Sequence, residues 1–395
     1  MKKIYNISIY LYVIVIRLFA LFKPKAKLWV QGRKNIFTQI EKQIQNNENI
    51  VWFHCASLGE YEQGKPIIHA YKIKHTTHII MLTFFSPSGF EIIKKTKLAN
   101  WVFYLPADTK KNAKKFINIV KPIKAIFIKY EFWLNYLTEL NKNNVPFYSV
   151  STKFHDQHTF LKFKWFTKQL QHVTHFFVQD KKSQKLLKTK GFNNVTIAGD
   201  TRFDSVITNT KNPIDIPLIK IFSKNKRTII CGSTWPKDEY LLSLYIKNHP
   251  ENNYIIAPHE LDNISQLRKK INAQLYSNIN KKNILTNNVI IIDNIGILSS
   301  IYQYGDLAYI GGGFGSGIHN ILEAVGFGLP VVFGPKYKKS NEAISLIDKN
   351  VAISISNYQE LKSAFNILTN FNKTIALNYI KENIGGTKKI LGLIK

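Results

Sequence analysis

Short, unbroken apolar runs recur along the chain from about residue 49, and a loop and a helical pattern follow each of them. Runs rich in β-branched and aromatic residues, without polar alternation, are typical of parallel strands that helices cover on both faces. Six lie in the first half (NIVWFHCAS, HIIMLTFF, ANWVFYLP, IKAIFIKY, VPFYSVS and HFFVQD) and five in the second (RTIICGST, NNYIIAPHE, NVIIIDN, DLAYIGGG and LPVVFGP). The pattern predicts an α/β protein with two doubly wound domains.

The series of strands pauses where Pro213, Pro217 and polar residues indicate a connection between domains. A chain of 395 residues also suits two domains better than one. We therefore expect an N-terminal domain over 28–205, a linker over 206–226 and a C-terminal domain over 227–377. The last segment, 378–395, is expected to be helical and to pack back on the first domain.

Residues 1–27 stand apart because an apolar stretch, 4–22, lies between Lys2–Lys3 and Lys23. This stretch is close to the length that crosses a bilayer, yet Arg17 within it is costly at the bilayer centre. It lacks a small-residue cleavage site typical of a removable signal peptide. A membrane-associated helix is expected, either spanning or lying in the interface, and a buried helix of the first domain is a third interpretation.

The charge balance indicates a polyanionic partner, because 55 Lys and Arg residues outnumber 25 Asp and Glu residues to give a net charge of +30. An anionic membrane surface with phosphorylated ligands and a nucleic acid both fit this excess. The basic residues are dispersed and no nucleic-acid-binding motif accompanies them, which favours the membrane. Only Cys55 and Cys231 are present, far apart, as in a reducing compartment.

The first candidate site is the segment HCASLGE, which follows a predicted strand and precedes a predicted helix. A carboxylate at such a position, here Glu60, can act as the general base for a hydroxyl group. The alternative is structural, since an acid near a helix N-terminus is favoured by the helix dipole alone.

The second candidate site is the glycine-rich segment GGGFGSG, which holds five glycines in seven residues from Gly311 to Gly317. Backbone N–H groups at the start of a helix bind phosphate well, so we expect a phosphate ligand at this turn. Glu323 is expected one turn inside the following helix, where its carboxylate could hold a ribose diol.

Other loops that end predicted strands of the second half carry further candidates. Ser233 and Thr234 offer hydroxyl groups for helix capping or for phosphate, while His259 follows Pro258 and precedes an acid. The chain has no HExxH, paired CxxC or Asp-x-Asp motif, so no metal site is predicted.

These motifs together resemble the bacterial 3-deoxy-D-manno-octulosonic acid (Kdo) transferases, which transfer Kdo to the lipid A precursor. The shared pieces cover nearly the whole chain and occur in order: LWVQGR, HCASLGE, TFFSPSG, YLPAD, YEFWLN, GDTRFD and GGGFGSGIHNILEA. The resemblance implies a GT-B fold, in which two Rossmann-like domains face a cleft. It also implies an inverting, metal-independent reaction, the donor CMP-Kdo, and catalytic domains on the cytoplasmic side of the inner membrane.

The resemblance also assigns residues. Glu60 corresponds to the catalytic base, and Glu131 corresponds to an acid of the family's Glu-Thr-Glu-x-Trp stretch. Arg202 stands where the family's G-x-L-K-F-D stretch has a lysine that helps to stabilise the transition state, and it keeps the positive charge. Lys129 stands where the family has the first Glu of that stretch, which puts the role of the loop in question. The CMP-binding set comprises Ser233, Thr234, Pro258, His259, Ile295, Gly296, Ile297, Gly312, Gly313, His319, Asn320, Ile321, Leu322 and Glu323.

Two alternatives stay open at this point. The chain could be another GT-B transferase that uses a UDP-sugar and a lipid-linked acceptor, or a basic membrane-tethered protein that binds nucleic acid. No cofactor is expected. The number of Kdo residues transferred does not follow from the sequence.

Overall fold

The computed structural model describes residues 2–44 and 49–394, which form two compact units. The first comprises Met1–Ser205 with Ile384–Lys395, and the second Val206–Asn383. Residues 206–226, expected to be a linker, instead carry helical structure that belongs to the second unit. The expected closing helix over 378–395 is two helices, and only the last belongs to the first unit.

The first unit contains a seven-stranded parallel sheet in the order β3-β2-β1-β4-β5-β6-β7. Its strands are β1 (Ile50–Cys55), β2 (Ile79–Phe84), β3 (Trp101–Tyr104), β4 (Lys124–Ile128), β5 (Phe147–Thr152), β6 (His175–Val178) and β7 (Val195–Ile197). Its helices are α1 (Lys2–Phe19), α2 (Pro24–Gln31), α3 (Ile36–Gln43), α4 (Leu58–Lys74), α5 (Pro87–Ile93), α6 (Lys110–Val120), α7 (Leu134–Lys142), α8 (Thr159–Lys162), α9 (Lys164–Leu170) and α10 (Lys181–Thr189). Helix α11 (Arg202–Lys211) continues into the second unit.

The second unit has its own seven-stranded parallel sheet, ordered β10-β11-β9-β8-β12-β13-β14. Its strands are β8 (Thr228–Thr234), β9 (Asn253–Pro258), β10 (Gln274–Leu275), β11 (Val289–Ile291), β12 (Leu307–Ile310), β13 (Val331–Phe333) and β14 (Ala352–Ser354). Its helices are α12 (Pro217–Phe222), α13 (Pro236–Asn248), α14 (Ile264–Ile271), α15 (Leu298–Ile301), α16 (Leu322–Gly326), α17 (Asn341–Asp348), α18 (Tyr358–Ile367) and α19 (Lys373–Asn383). The chain then returns to the first unit with α20 (Gly386–Leu393).

Strand residues of the first sheet alternate between two cores, which explains why the strands read as continuous apolar runs. Trp52 and Phe127 lie in one core, while Phe53 and Ile126 lie in the other. Ile390 of α20 belongs to the second of these cores. The two predicted doubly wound α/β domains are therefore confirmed, and each sheet is covered as a parallel sheet must be.

Helix α1 is attached to the first unit through buried polar contacts. The Tyr5 hydroxyl donates to Asp108 Oδ2 at 2.5 Å, and Asn135 Nδ2 donates to Asn6 Oδ1 at 2.9 Å. Asp108 also accepts from the backbone N–H of Tyr136 at 3.0 Å, near the start of α7. Burial raises the pKa of Asp108 to about 7, and the Tyr5 hydroxyl opposes that rise. Among the described helices, none combines the length and hydropathy of a membrane span.

Replacing Tyr5 with Phe tests this attachment. The variant leaves the buried Asp108 carboxyl with one hydrogen-bond donor fewer, so we expect the free energy of unfolding to fall by about 1–3 kcal/mol. Urea denaturation of the intact chain measures the change. Tyr10→Phe is the matched control, because Tyr10 lies on the same helix and is 52% exposed. Equal unfolding midpoints for the two variants would contradict the attachment.

Candidate functional site

Two acidic loops meet at the carboxyl edge of the first sheet. Glu60 lies in the first turn of α4, after β1, and Glu131 lies in the loop between β4 and α7. Strands β1 and β4 are neighbours, and the strand order reverses between them. In doubly wound sheets this reversal opens a crevice at the carboxyl ends of the strands, where ligands bind.

The Glu60 side chain is only 7% exposed and is held by backbone amides of its own loop. Its carboxylate accepts hydrogen bonds from the N–H groups of Ala56 and Ser57. Burial raises the pKa of Glu60, while the two amides and the charge of Lys129 oppose that rise. Glu60 therefore has the structural role of an acid at a helix N-terminus. The same hydrogen bonds hold in place a carboxylate whose pKa is raised.

Glu131 is a second carboxyl group beside the first, and it is partly exposed. Burial, together with the negative charge of Glu60, raises the pKa of Glu131 to about 8. Lys129 lowers the pKa of both acids, so its charge lies within reach of the pair. At neutral pH the arrangement therefore favours one ionised and one protonated carboxyl group.

Local packing holds the loop that carries Lys129 and Glu131. Lys129 has a left-handed backbone with φ of 60°, which is uncommon outside glycine. Its carbonyl oxygen accepts from Ser149 Oγ at 2.9 Å and from Thr152 Oγ1 at 3.1 Å, and its N–H donates to Val150 O at 2.8 Å. These hydrogen bonds to β5 compensate for the unfavourable left-handed backbone conformation of Lys129. They also fix the direction in which the acidic loop begins.

A buried histidine braces the same edge. Trp133 Nε1 donates to His54 Nε2 at 3.3 Å, so the proton of the neutral ring lies on Nδ1, which is 2.9 Å from Thr83 Oγ1. Burial lowers the pKa of His54 to about 3, and the ring stays neutral. His54 and Trp133 were not predicted as site residues, although both lie within the segments that indicated the site. Only the strand order brings them together.

Arg202 is less available than the sequence indicates. Its guanidinium forms a bidentate ion pair with Asp200, with Nε and Nη2 at 2.9 and 2.6 Å from Oδ2 and Nε also at 3.2 Å from Oδ1. The neighbouring Thr201 hydroxyl donates to the Gln63 carbonyl oxygen at 2.6 Å, which attaches this turn to α4. The structure thus brings Glu60, Glu131 and Lys129 together, while Arg202 has an acidic partner of its own.

Three aromatic side chains stack at the carboxyl edge of the second sheet. His259 follows β9, and its ring centroid lies 4.7 Å from that of Trp235 and 4.3 Å from that of His319. Trp235 Nε1 donates to His319 Nε2 at 2.9 Å, which leaves His319 Nδ1 as the protonated nitrogen. Burial and the neighbouring His259 lower the pKa of His319 to about 4. The stack offers flat surfaces and one N–H donor, and Trp235 was not predicted.

The glycine-rich turn has a packing explanation that the sequence did not indicate. A Cβ on Gly311 would lie 2.2 Å from Ser233 O, and one on Gly313 would lie 2.6 Å from the backbone of Gly334. Gly312 has φ of 91° and donates its N–H to Asp238 Oδ2 at 3.0 Å. Asp238 also accepts from the backbone N–H of Trp235 at 2.9 Å. Close backbone packing thus accounts for these glycines, and their number alone does not require a phosphate.

Two expectations for side chains of this unit were wrong. Thr234 does not cap a helix, because its buried hydroxyl donates to Glu239 Oε1 at 3.1 Å and Trp235 is the N-cap of α13. Glu323 is the second residue of the short helix α16 rather than one turn inside it. There its Oε1 accepts from Asn320 Nδ2 at 3.0 Å.

The remaining predicted donor-site residues divide by burial. Ile321 and Leu322 are at most 1% exposed and belong to the interior, so only their backbone could meet a ligand.

Ile295 is 81% exposed, Gly296 has φ of 103°, and Ile297 is the N-cap of α15 without a side-chain cap. Ser233 lies near the end of β8, and Pro258 is the last residue of β9. His259 follows β9, and the two strands are adjacent. No group of three or more metal-ligating side chains occurs in 2–44 and 49–394.

Comparison with known proteins decides the class of enzyme. Residues 31–205 match the family model "3-Deoxy-D-manno-octulosonic-acid transferase (kdotransferase)". A 3-deoxy-D-manno-octulosonic acid transferase of Rickettsia bellii is 28% identical over 361 residues, which cover 87% of this chain and 85% of that protein. The transferase of Aquifex aeolicus is 27% identical over 88% of this chain and 93% of its own length. The chain is a glycosyltransferase, and it is similar to Kdo transferases over most of its length.

A solved structure supports the fold independently. The UDP-GlcNAc 2-epimerase of Neisseria meningitidis aligns with a TM-score of 0.59 at 12% identity, covering 87% of this chain and 98% of that one. This likeness concerns the fold alone. It agrees with the two Rossmann-like units of this protein, each built on a seven-stranded parallel sheet as in the GT-B type of fold.

The pKa of Glu131 predicts how the rate of sugar transfer depends on pH. Because burial and the charge of Glu60 raise the pKa of Glu131 to about 8, the pair becomes doubly negative above that pH, and the added charge would repel any anionic substrate. We expect kcat/KM to fall above about pH 8 in the wild type, and Glu131→Gln to remove that fall. Glu62→Gln is the control, since Glu62 is a neighbouring acid whose pKa is also raised by burial. An unchanged alkaline fall in Glu131→Gln would refute the assignment.

The packing of the glycine turn is tested by Gly313→Ala. The added methyl group would meet the Gly334 backbone, so we expect the free energy of unfolding to fall by about 1–3 kcal/mol in urea titrations. Gly315→Ala is the matched control, because a Cβ there lies 3.5 Å from its nearest neighbour, Gly312 O. If both variants were equally stable, the packing explanation would fail.

Proposed function

We propose that this protein transfers Kdo from CMP-Kdo to a glucosamine hydroxyl of a lipid A precursor in lipopolysaccharide core biosynthesis, with inversion and without an active-site metal. The observation that carries the proposal is the pair of neighbouring carboxyl groups with raised pKa values, Glu60 and Glu131, at the point where the strand order of the first sheet reverses. The similarity to Kdo transferases supports Kdo as the transferred sugar.

Glu60 is the proposed base. It takes the proton of the acceptor hydroxyl as that oxygen attacks the anomeric carbon of Kdo, and the bond to the CMP phosphate breaks with its electron pair leaving on CMP. A positioned base of this kind contributes about 10²–10⁴ in rate. The raised pKa of Glu60 strengthens it as a base, and the proton on Glu131 keeps the pair from carrying two charges.

Lys129 gives this protein a positive charge where the family's stretch begins with an acid. Since Lys129 lowers the pKa of both Glu60 and Glu131, it keeps Glu60 ionised near neutral pH. We assign it this electrostatic role. Arg202, paired with Asp200, offers less net charge to a departing phosphate than an unpaired arginine would.

The second unit is the proposed site for CMP. The Trp235, His259 and His319 rings offer stacking surfaces, and the protonated Nδ1 of His319 can donate to a phosphate oxygen. The exposed turn at Ile295–Ile297 adds backbone N–H groups near the start of α15. Asn320 and Glu323 form a polar pair suited to a ribose diol.

Helix α1 is proposed to lie on the cytoplasmic surface of the inner membrane. Its exposed side chains recur at helical spacing and form a continuous apolar stripe: Ile4, Ile7, Leu11, Ile14, Val15 and Leu18. Tyr5 and Asn6 point the other way, into the first unit. An apolar stripe with lysines at both ends suits an anionic bilayer surface, and this arrangement favours the interfacial interpretation.

The reaction is tested by offering the purified protein CMP-Kdo and a tetra-acylated lipid A precursor, with UDP-sugars in parallel, and by counting added sugars by mass spectrometry. We expect Kdo addition with CMP-Kdo alone. Glu60→Gln preserves side-chain volume and should lower kcat at least a hundredfold, while CMP affinity stays within twofold of the wild type. Transfer from a UDP-sugar, or normal turnover by Glu60→Gln, would overturn the proposal.

Membrane attachment is tested with vesicles of anionic and zwitterionic phospholipid. Leu11→Glu places a charge in the centre of the stripe and should weaken co-sedimentation with anionic vesicles at least tenfold, because one buried leucine side chain contributes about 1.5–3 kcal/mol. Gln39→Glu, an exposed position of α3, adds the same charge as a control. Equal binding by both variants, or salt-resistant binding of RNA in place of vesicles, would contradict the membrane role.

A further inference from the structure

A cavity of the first unit is lined by residues of α1, α2, α3 and α6, and neither Glu60 nor Glu131 is among them. Its volume is about 780 Å³, within the range of small-molecule sites. The walls are largely apolar and include Val13, Ile14, Val30 and Phe37. None of the roles assigned to Glu60, Glu131 or the second unit uses this cavity.

Positive charges surround the opening. Arg17, Lys34, Lys111 and Lys115 all line the cavity, which has no acidic residue among the described side chains that line it. Lys115 has one acidic neighbour, Glu41, at 3.5 Å. An apolar interior below a basic rim complements a ligand with a hydrocarbon chain and an anionic head.

The floor of the cavity contains polar groups that suit a ligand. Trp29 is 6% exposed, and its Nε1 has no hydrogen-bond partner within the described part of the chain. The Arg33 guanidinium lies 3.9 Å from the Trp29 ring and donates to the carbonyl oxygens of Leu105 and Phe85, both at 2.8 Å. The Trp29 ring and the Arg33 guanidinium thus form a rigid part of the cavity lining.

The cavity borders the apolar stripe of α1, and its wall packs through one further ring against the acidic loop. Ile14 belongs both to that stripe and to the cavity wall. On the other side, Phe85 packs on Trp29 with centroids 5.7 Å apart and on Trp133 at 4.6 Å. A chain that entered from the bilayer would thus contact Trp29, which the Phe85 ring separates from Trp133 of the acidic loop.

We propose that this cavity binds one acyl chain of the phosphorylated acceptor lipid, with a phosphate of the acceptor on the basic rim. The inference rests on the proposed function, because it identifies the occupant as the acceptor. Its consequence is selectivity: the cavity would anchor the lipid by its chain and present the sugar to the carboxylate pair.

The first experiment measures binding of tetradecyl phosphate, which combines one hydrocarbon chain with a phosphate, to the full-length protein. Val30→Trp fills the cavity and should weaken binding at least tenfold, and Thr38→Trp blocks an exposed position of its lining. Leu28→Trp is the control, since Leu28 lies on the same helix outside the lining. Normal binding by both cavity variants would overturn the proposal.

The basic rim is tested with the same probe. Lys111→Gln should weaken tetradecyl phosphate about two- to fivefold, as expected for one exposed ion pair. Lys114→Gln, an exposed residue of the same helix α6 outside the lining, should not. Equal effects of the two variants would show that the phosphate lies elsewhere.

Experiments with the acceptor lipid show whether the acyl chain in the cavity comes from the acceptor or from a membrane phospholipid. Val30→Trp should raise the KM for the lipid acceptor at least fivefold with kcat within twofold, and the acceptor should displace tetradecyl phosphate from the wild type. If the probe binds through Val30 but the acceptor neither displaces it nor changes KM, the cavity holds a membrane phospholipid and the proposal is wrong. If the acceptor displaces the probe but no Kdo is transferred, the cavity assignment stands and the proposed reaction fails.

Discussion

The repulsion between two neighbouring carboxyl groups is the constraint on which the candidate site of the first unit depends. Glu60 and Glu131 come from neighbouring strands whose carboxyl ends meet, and burial disfavours the charge of each. Two ionised acids in such a place would be costly, so the site must supply amide donors, a nearby cation or a proton. It supplies all three through the Ala56 and Ser57 amides, Lys129 and the proton on Glu131.

The acidic loop and the exposed helix α1 belong to one packed structure. Tyr12 of α1 stacks on Phe85 at 6.0 Å, and Phe85 packs on Trp133, which donates to His54 at the end of β1. Asp108 connects Tyr5 with the first amides of α7. The proposed membrane surface and the proposed catalytic pair therefore share a core. Such rigidity would favour binding of an amphiphilic substrate because less order must be imposed when it binds.

The sequence allowed all the central strands to be predicted, because strands buried on two faces give continuous apolar runs. The strands β7, β10 and β14 were not predicted, and each is a short edge strand with part of its side chains exposed. The glycines of 311–317 suggested a phosphate site. Gly311 and Gly313 are instead explained by close packing against backbone segments that are distant in sequence. Glu60 was found from its motif, but its coupling to Glu131 depends on strand order, which no local pattern encodes.

The protonation of the pair can be observed directly by difference infrared spectroscopy of the resting protein. We predict that raising the pH from 7 to 9 removes the C=O stretching band of a protonated carboxylic acid in the wild type. Part of this loss should vanish in Glu131→Gln, while the contribution of Asp108, whose pKa is about 7, remains. Identical difference spectra for the wild type and Glu131→Gln would contradict a proton on Glu131 and with it the account of the carboxylate pair.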